Sequence, residues 1–159
     1  MSSHNLKNLE VIELTSNEFT IAIVKSSYHD KITDKLTEGA IEVLKAHKIS
    51  KILLIEVPGA YEMIYGCIHA INQIPNLAGI ITLGCVIKGD TEHDIYINHA
   101  VAQGLSQLEI KYNIPIGFGL LTTNTEQQAL DRSFGSVGNK GEEVAMAVLH
   151  SLNLKIKSI

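Results

Sequence analysis

Four short apolar runs, each followed by a longer stretch in which apolar residues return every three or four positions, restrict this chain to very few architectures. The first run, FTIAIV from Phe19 to Val24, is compact and mostly β-branched, as a strand buried on both faces must be. KILLIEV (Lys51 to Val57), the segment Gly79 to Val86 and PIGFGLL (Pro115 to Leu121) supply three more strands. Between them the spacing changes to that of helices. Ile32, Leu36, Ala40, Val43 and Leu44 make one helical face, and Ile64, Cys67, Ile68 and Ile71 a second. Ile97, Val101, Leu105 and Leu108 make a third, and Val144, Val148, Leu149 and Leu152 a last. Strands that alternate with helices this way pair in parallel, because parallel neighbours need a crossover of the right hand. The expectation is a four-stranded parallel sheet with helices on both faces, an α/β fold.

The punctuation agrees. The first helix should stop near His47, Pro58-Gly59 closes the second strand, and Asn72 to Leu77, with Pro75, reads as a loop. Gly104 falls on the inner face of the third helix, where it permits close packing. Gly117 and Gly119 weaken the fourth strand and let another group approach its backbone. Asn124 followed by Gln127 resembles a capping box that opens a short helix through Arg132. Gly135 and Gly138 break that helix, and Asn139 followed by Glu142 caps the last one. Residues 1–18 are polar and read as an arm, with a short strand at Val11 to Leu14; the whole of 1–159 is one domain without repeats or a linker.

Composition removes several functions. Seventeen acidic and thirteen basic residues give net charge -4, and no run of Lys or Arg is available to track a phosphodiester backbone, so nucleic acid is not an expected partner. Cys67 and Cys85 lie far apart in apolar company, which suits reduced core thiols of a cytoplasmic protein better than a metal or redox pair. His93 and His99 sit six apart on different helix faces, so no metal site is expected. The N-terminus lacks the apolar stretch of a signal peptide, and no apolar run approaches the roughly 18 residues of a membrane span.

In open parallel sheets, ligands bind beyond the carboxyl ends of the strands, where strand order reverses. The segments there are SSYHD, VPGAYE, KGDTEH and LTTNTE, and they hold much of the chain's unusual chemistry. TLGCVIKGDTEHDIYINH (Thr82 to His99) is the richest: a buried strand breaks at Lys88-Gly89-Asp90-Thr91 and restarts as a helix with Glu92, His93 and Asp94 in its first turn. A helix start favours an anion through its unpaired amides and its dipole. Histidine, with an ordinary pKa near 6.5, is the natural acid or base beside it. Plainer roles exist for each residue. Tyr28 is either an aromatic plate for a flat ring or a cover for the sheet end. Glu62 suits its own helix dipole, His93 is also readable as a solvated histidine, Asp90 as a cap, and Arg132 and Lys140 as surface charges. Phe118, between two glycines on a strand, is also readable as core.

Five segments together change the balance. ITDKL, VPGAYE, TLGCVIKGDTEH, PIGFGLLTTNTEQQALDR and GNKGEE, in this order and spacing from about Ile21 to Leu152, resemble the 6,7-dimethyl-8-ribityllumazine synthase family of riboflavin biosynthesis. The resemblance implies a flavodoxin-like three-layer α/β/α fold and a pentamer, or sixty subunits in an icosahedral shell. The implied reaction condenses 5-amino-6-(D-ribitylamino)uracil with 3,4-dihydroxy-2-butanone 4-phosphate, releasing phosphate and water, with no cofactor. It also implies roles. Tyr28 takes the ring-stacking place, while Ala60, Tyr61 and Glu62 hold the ribityl chain. Cys85, Val86 and Ile87 line the pyrimidine, and Asp90 and Thr91 offer amides to the phosphate. Arg132 is the phosphate counter-ion, His93 transfers protons, Phe118 faces the pyrimidine from a neighbouring subunit, and Lys140 and Glu143 form a polar pair near the site. The chain departs from the family at Ser27-Tyr28-His29, where Arg-Phe-Asn is common, and at Ile64, where proline is usual. DRSFGSVGNKG carries no insertion, which in this family goes with shells more than with free pentamers, and riboflavin synthase is a candidate partner. A non-catalytic flavin or lumazine binder, or a shell-forming homologue, is the alternative. A receiver-like domain would need clustered acids after the first strand, where only Asp30 stands.

Overall fold

The computed structural model describes residues 19–154, so the expected arm and its strand at Val11 to Leu14 lie outside the described residues. Nine elements follow in order: β1 (Thr20–Ser26), α1 (Asp30–Ala46), β2 (Lys51–Val57), α2 (Met63–Gln73), β3 (Leu77–Ile87), α3 (His93–Tyr112), β4 (Ile116–Thr123), α4 (Glu126–Ser133) and α5 (Lys140–Leu152). All strand pairs are parallel, in the order β2-β1-β3-β4. The chain goes from β1 outward to β2, then crosses back over β1 to reach β3. Strand order therefore reverses between β1 and β3, which is where an open α/β sheet parts its crossover helices and leaves a crevice.

Side-chain alternation along β1 divides the core. Ile21 and Ile23 face α1, α4 and α5, together with Leu36, Leu44, Leu83 and Leu149. Ala22 and Val24 face α2 and α3, with Met63, Cys67, Val101 and Leu105. Each large side chain buried this way contributes about 1.5–3 kcal/mol relative to exposure. Two glycines set how closely the helices approach. A Cβ on Gly104 would stand 2.7 Å from Ile64 Cδ1, so α3 seats directly on α2. A Cβ on Gly141 would overlap the Leu36 carbonyl, so α5 starts hard against α1.

Two local expectations shift. The short helix α4 is capped by Thr125, whose hydroxyl accepts from Gln128 N at 3.2 Å, rather than by Asn124. Gln128 Oε1 reaches back to Asn124 N at 2.9 Å, so the capping pair lies one residue later than Asn124 and Gln127. Helix α3 begins at His93, with Glu92 just outside it, and Glu62 likewise precedes α2. Asn139 does cap α5, through Gly141 N at 2.8 Å.

Candidate functional site

At the carboxyl edge of β1, β2 and β3 the loops enclose an open cleft of about 910 Å³. Its first wall follows β1. His29 adopts left-handed backbone angles (φ 59, ψ 49), and its carbonyl accepts from Ile32 N and Thr33 N, so the chain turns sharply into α1. That turn throws Tyr28 outward, 70% exposed, over the cleft. The second wall follows β2. Ser27 N donates to Val57 O at 2.8 Å and locks the two loops together. Gly59 lies under Tyr28 and Glu62: a Cβ there would stand 2.9 Å from Glu62 Oε2 and 3.4 Å from Tyr28 Cδ2. Glycine at this point lets both side chains lie close against the loop.

The end of β3 supplies the floor through Cys85, Val86 and Ile87. Burial, with Glu126 adding its charge, pushes the Cys85 thiol up to about 11, and burial alone pushes Cys67 to about 12. Neither sulfur is a thiolate nucleophile near neutral pH. The third wall is the start of α3. Thr91 Oγ1 accepts from His93 N at 3.4 Å, and the His93 ring stands exposed on the cleft side of the helix.

The structure thus brings together Tyr28, Ala60, Tyr61, Glu62, Cys85, Val86, Ile87, Thr91 and His93. Asp90 lies in the same exposed loop but outside the lining. Phe118, Arg132, Lys140 and Glu143 do not line the cleft of their own chain. Phe118 projects from the edge strand β4 and is 47% exposed. Arg132 Nη1 donates to Gln128 O at 2.9 Å, and Lys140 pairs with Glu143 in the first turn of α5. Sequence reasoning overlooked Tyr96, Ile97 and Ala100 as lining residues, and noted His29 only as the neighbour of Tyr28 and Asp94 only as a first-turn acid. A signal was available, since Tyr96, Ile97 and Ala100 stand three, four and seven places after His93 and so share its helical face. Asp94 carries a buried Oδ1 with no hydrogen-bond partner. Among the described residues, no lysine or arginine lines the cleft, and no group of three or more His, Cys, Asp or Glu is placed to hold a metal. No helix among them is long and apolar enough to cross a membrane.

What this arrangement offers is an aromatic plate, a carboxylate, backbone groups at a strand end and an imidazole at a helix start, all around one opening. The family profile described as 6,7-dimethyl-8-ribityllumazine synthase matches residues 18–156. The chain belongs to that family. Relatives of the same name include the protein of Leuconostoc mesenteroides, 47% identical over 143 residues that cover 87% of this chain and 91% of that one. The Rhodopirellula baltica protein is 45% identical, covering 86% of this chain and 89% of its own. That of Parabacteroides distasonis is 41% identical, covering 87% of each. The expected three-layer α/β/α sandwich, with four parallel strands, is the fold observed.

Proposed function

We propose that this lumazine synthase family member condenses 5-amino-6-(D-ribitylamino)uracil with 3,4-dihydroxy-2-butanone 4-phosphate to give 6,7-dimethyl-8-ribityllumazine, phosphate and water. The observation that carries the assignment of roles is the convergence of Tyr28, Glu62, the Cys85–Ile87 strand end and His93 on one cleft at the switch point. Tyr28 stacks on the pyrimidine ring, and the backbone groups of Cys85, Val86 and Ile87 meet its edge. Ala60, Tyr61 and Glu62 hold the ribityl chain, the Glu62 carboxylate accepting from its hydroxyls. Asp90 and Thr91 offer amides to the phosphate beside the start of α3, where the helix dipole favours an anion.

The chemistry needs little more. The amine that adds to the ketone must lose protons, and the departing water must gain them, which suits one imidazole at the cleft mouth. Phosphate then leaves from the carbon next to the imine, and a fixed cation stabilises the departing charge. No covalent nucleophile is required, in keeping with two thiols held protonated. Because both substrates react unaided once together, holding them in register supplies a large share of the acceleration.

The cation is the part a single chain does not provide, since no Lys or Arg lines its cleft. We read Arg132 as the counter-ion, and Phe118 as a second ring contact, both delivered from a neighbouring copy, with the Lys140–Glu143 pair close by. A pentamer, alone or built into an icosahedral shell, supplies such a neighbour at every cleft. Exposed Leu53 and Leu54 on β2, and exposed Phe118 on β4, put apolar surface at both sheet edges, where such a ring would bury it. We place the enzyme in the cytoplasm, with riboflavin synthase as a candidate partner that would consume the product.

Mixing the two substrates with the chain and following lumazine fluorescence and inorganic phosphate tests the reading. Both signals should rise together. Product binding without turnover would overturn it. Arg132→Ala should raise KM for the phosphorylated butanone most, and an unchanged KM would remove the counter-ion role.

A further inference from the structure

Among the described residues, Lys25 is the charged side chain that the fold buries, only 7% exposed near the end of the central strand β1. It follows Ile21 to Val24, which are wholly buried, and points to the α1 side of the sheet, away from the cleft. An ammonium in that place is costly unless it is paired, and pairing seldom repays the whole cost in stability. A leucine or methionine would fill the same space without the cost. Held by two carboxylates, the lysine keeps its charge, and the arrangement serves more than packing.

Its partners show how. Lys25 Nζ lies 2.6 Å from Asp34 Oδ1 on α1 and 2.6 Å from Glu56 Oε1 on β2. Glu56 is also the register partner of Lys25 across the parallel pair. One cation thus ties together the last residues of two strands and the opening turns of the helix between them. The two loops that leave from these points are Ser27–His29 and Pro58–Glu62, and they carry Tyr28 and Glu62 to the cleft. The same two loops are joined by the Ser27 N to Val57 O hydrogen bond and by Tyr28 lying over Gly59. The loop that leads to α3 and His93 is tied instead to the end of β4, Lys88 N donating to Thr123 O at 2.8 Å.

We infer that Lys25 is a positioning residue: through Asp34 and Glu56 it fixes the separation of the Tyr28 plate from the Ala60–Glu62 wall. It thereby sets affinity for the ring-and-ribityl substrate without contacting it. This rests on the reading of the cleft given under Proposed function. Lys25 serves one of the two substrates, because the phosphate end is held by other elements.

The test uses the full-length chain and its variants Lys25→Met, Lys25→Arg and Glu56→Gln. Lys25→Met should raise KM for the ribitylaminopyrimidine about tenfold, less than the roughly 10²-fold that a 1 Å misplacement can cost. KM for the phosphorylated butanone and kcat should stay within about twofold. Affinity for the lumazine product, read by fluorescence anisotropy, should fall with the pyrimidine KM. Lys25→Arg, whose planar fork can engage two carboxylates, should recover most of the loss. Equal losses for both substrates, or a lowered melting temperature with unchanged kinetics, would overturn the positioning role. Should Lys25→Met not fold, Glu56→Gln decides: its side chain is 57% exposed and its loss leaves the Lys25–Asp34 pair in place. A rise of about two- to threefold confined to the pyrimidine KM is expected, and no rise overturns the inference. A parent chain that makes no lumazine removes the proposed function and this inference with it. An active parent with no split between the two KM values removes the inference alone.

Discussion

His93 is exposed and begins α3, so its imidazole reaches both the cleft and water without any rearrangement of the core. In the role proposed for it, His93 would transfer protons while binding is handled elsewhere. His93→Ala should therefore slow kcat toward the low end of the roughly 10² to 10⁴-fold range of general acid-base catalysis. Product affinity by fluorescence titration should change little, and a parallel collapse of affinity would show that His93 binds rather than transfers protons. Tyr28, Glu62 and His93 were visible in the sequence because residues of unusual chemistry followed strand-like runs. Arg132 and Phe118 were visible as types, but neither lines the cleft of its own chain, and one chain's periodicity cannot say where such a side chain is used. Asp94 escaped for another reason. It looked like an ordinary first-turn acid, and only packing shows its Oδ1 buried without a partner.

Elements were the most legible scale, because burial on both faces of β1 and one face of each helix writes a period into the sequence. The second strand was found to the residue, Lys51–Val57. The capping of α4 was not, and the cause is specific: Asn124 with Gln127 and Thr125 with Gln128 are two overlapping boxes of the same form. Only geometry chooses Thr125. Close approach of α2 and α3 was also legible, through Gly104. Gly104→Leu would drive its side chain into Ile64, and overpacking of this kind should cost about 1–3 kcal/mol. Urea denaturation should report that loss, and a variant as stable as the parent would show that α3 moves aside freely.

At the scale of the whole molecule, three proton-holding groups give a common pH signature. Burial lowers the Lys25 pKa, but the hydrogen bonds and charges of Asp34 and Glu56 outweigh it and leave the pKa above 10.5. Burial raises Cys67 to about 12 and, with Glu126, Cys85 to about 11. In each case the folded chain keeps its proton to higher pH than the unfolded chain does. The stability involved is complete below the unfolded values, near 9 for the thiols, and is lost as pH rises through the folded ones. Urea midpoints should be level from about pH 7 to 8.5 and fall steadily above about pH 9, whereas a rise there would contradict the sign. Assembly has its own test. If Arg132 completes a neighbour's cleft, co-expressed His93→Ala and Arg132→Ala chains form rings with some intact sites and are more active than either alone. Mixed rings no better than the weaker parent would place Arg132 in its own chain's site. Finally, α5 closes the face of α1, yet α1 is synthesised about a hundred residues before α5. While the ribosome is still translating, Leu36 and Leu44 wait without their cover, so nascent or prematurely terminated chains offer chaperones and proteases an oily surface that the finished protein hides.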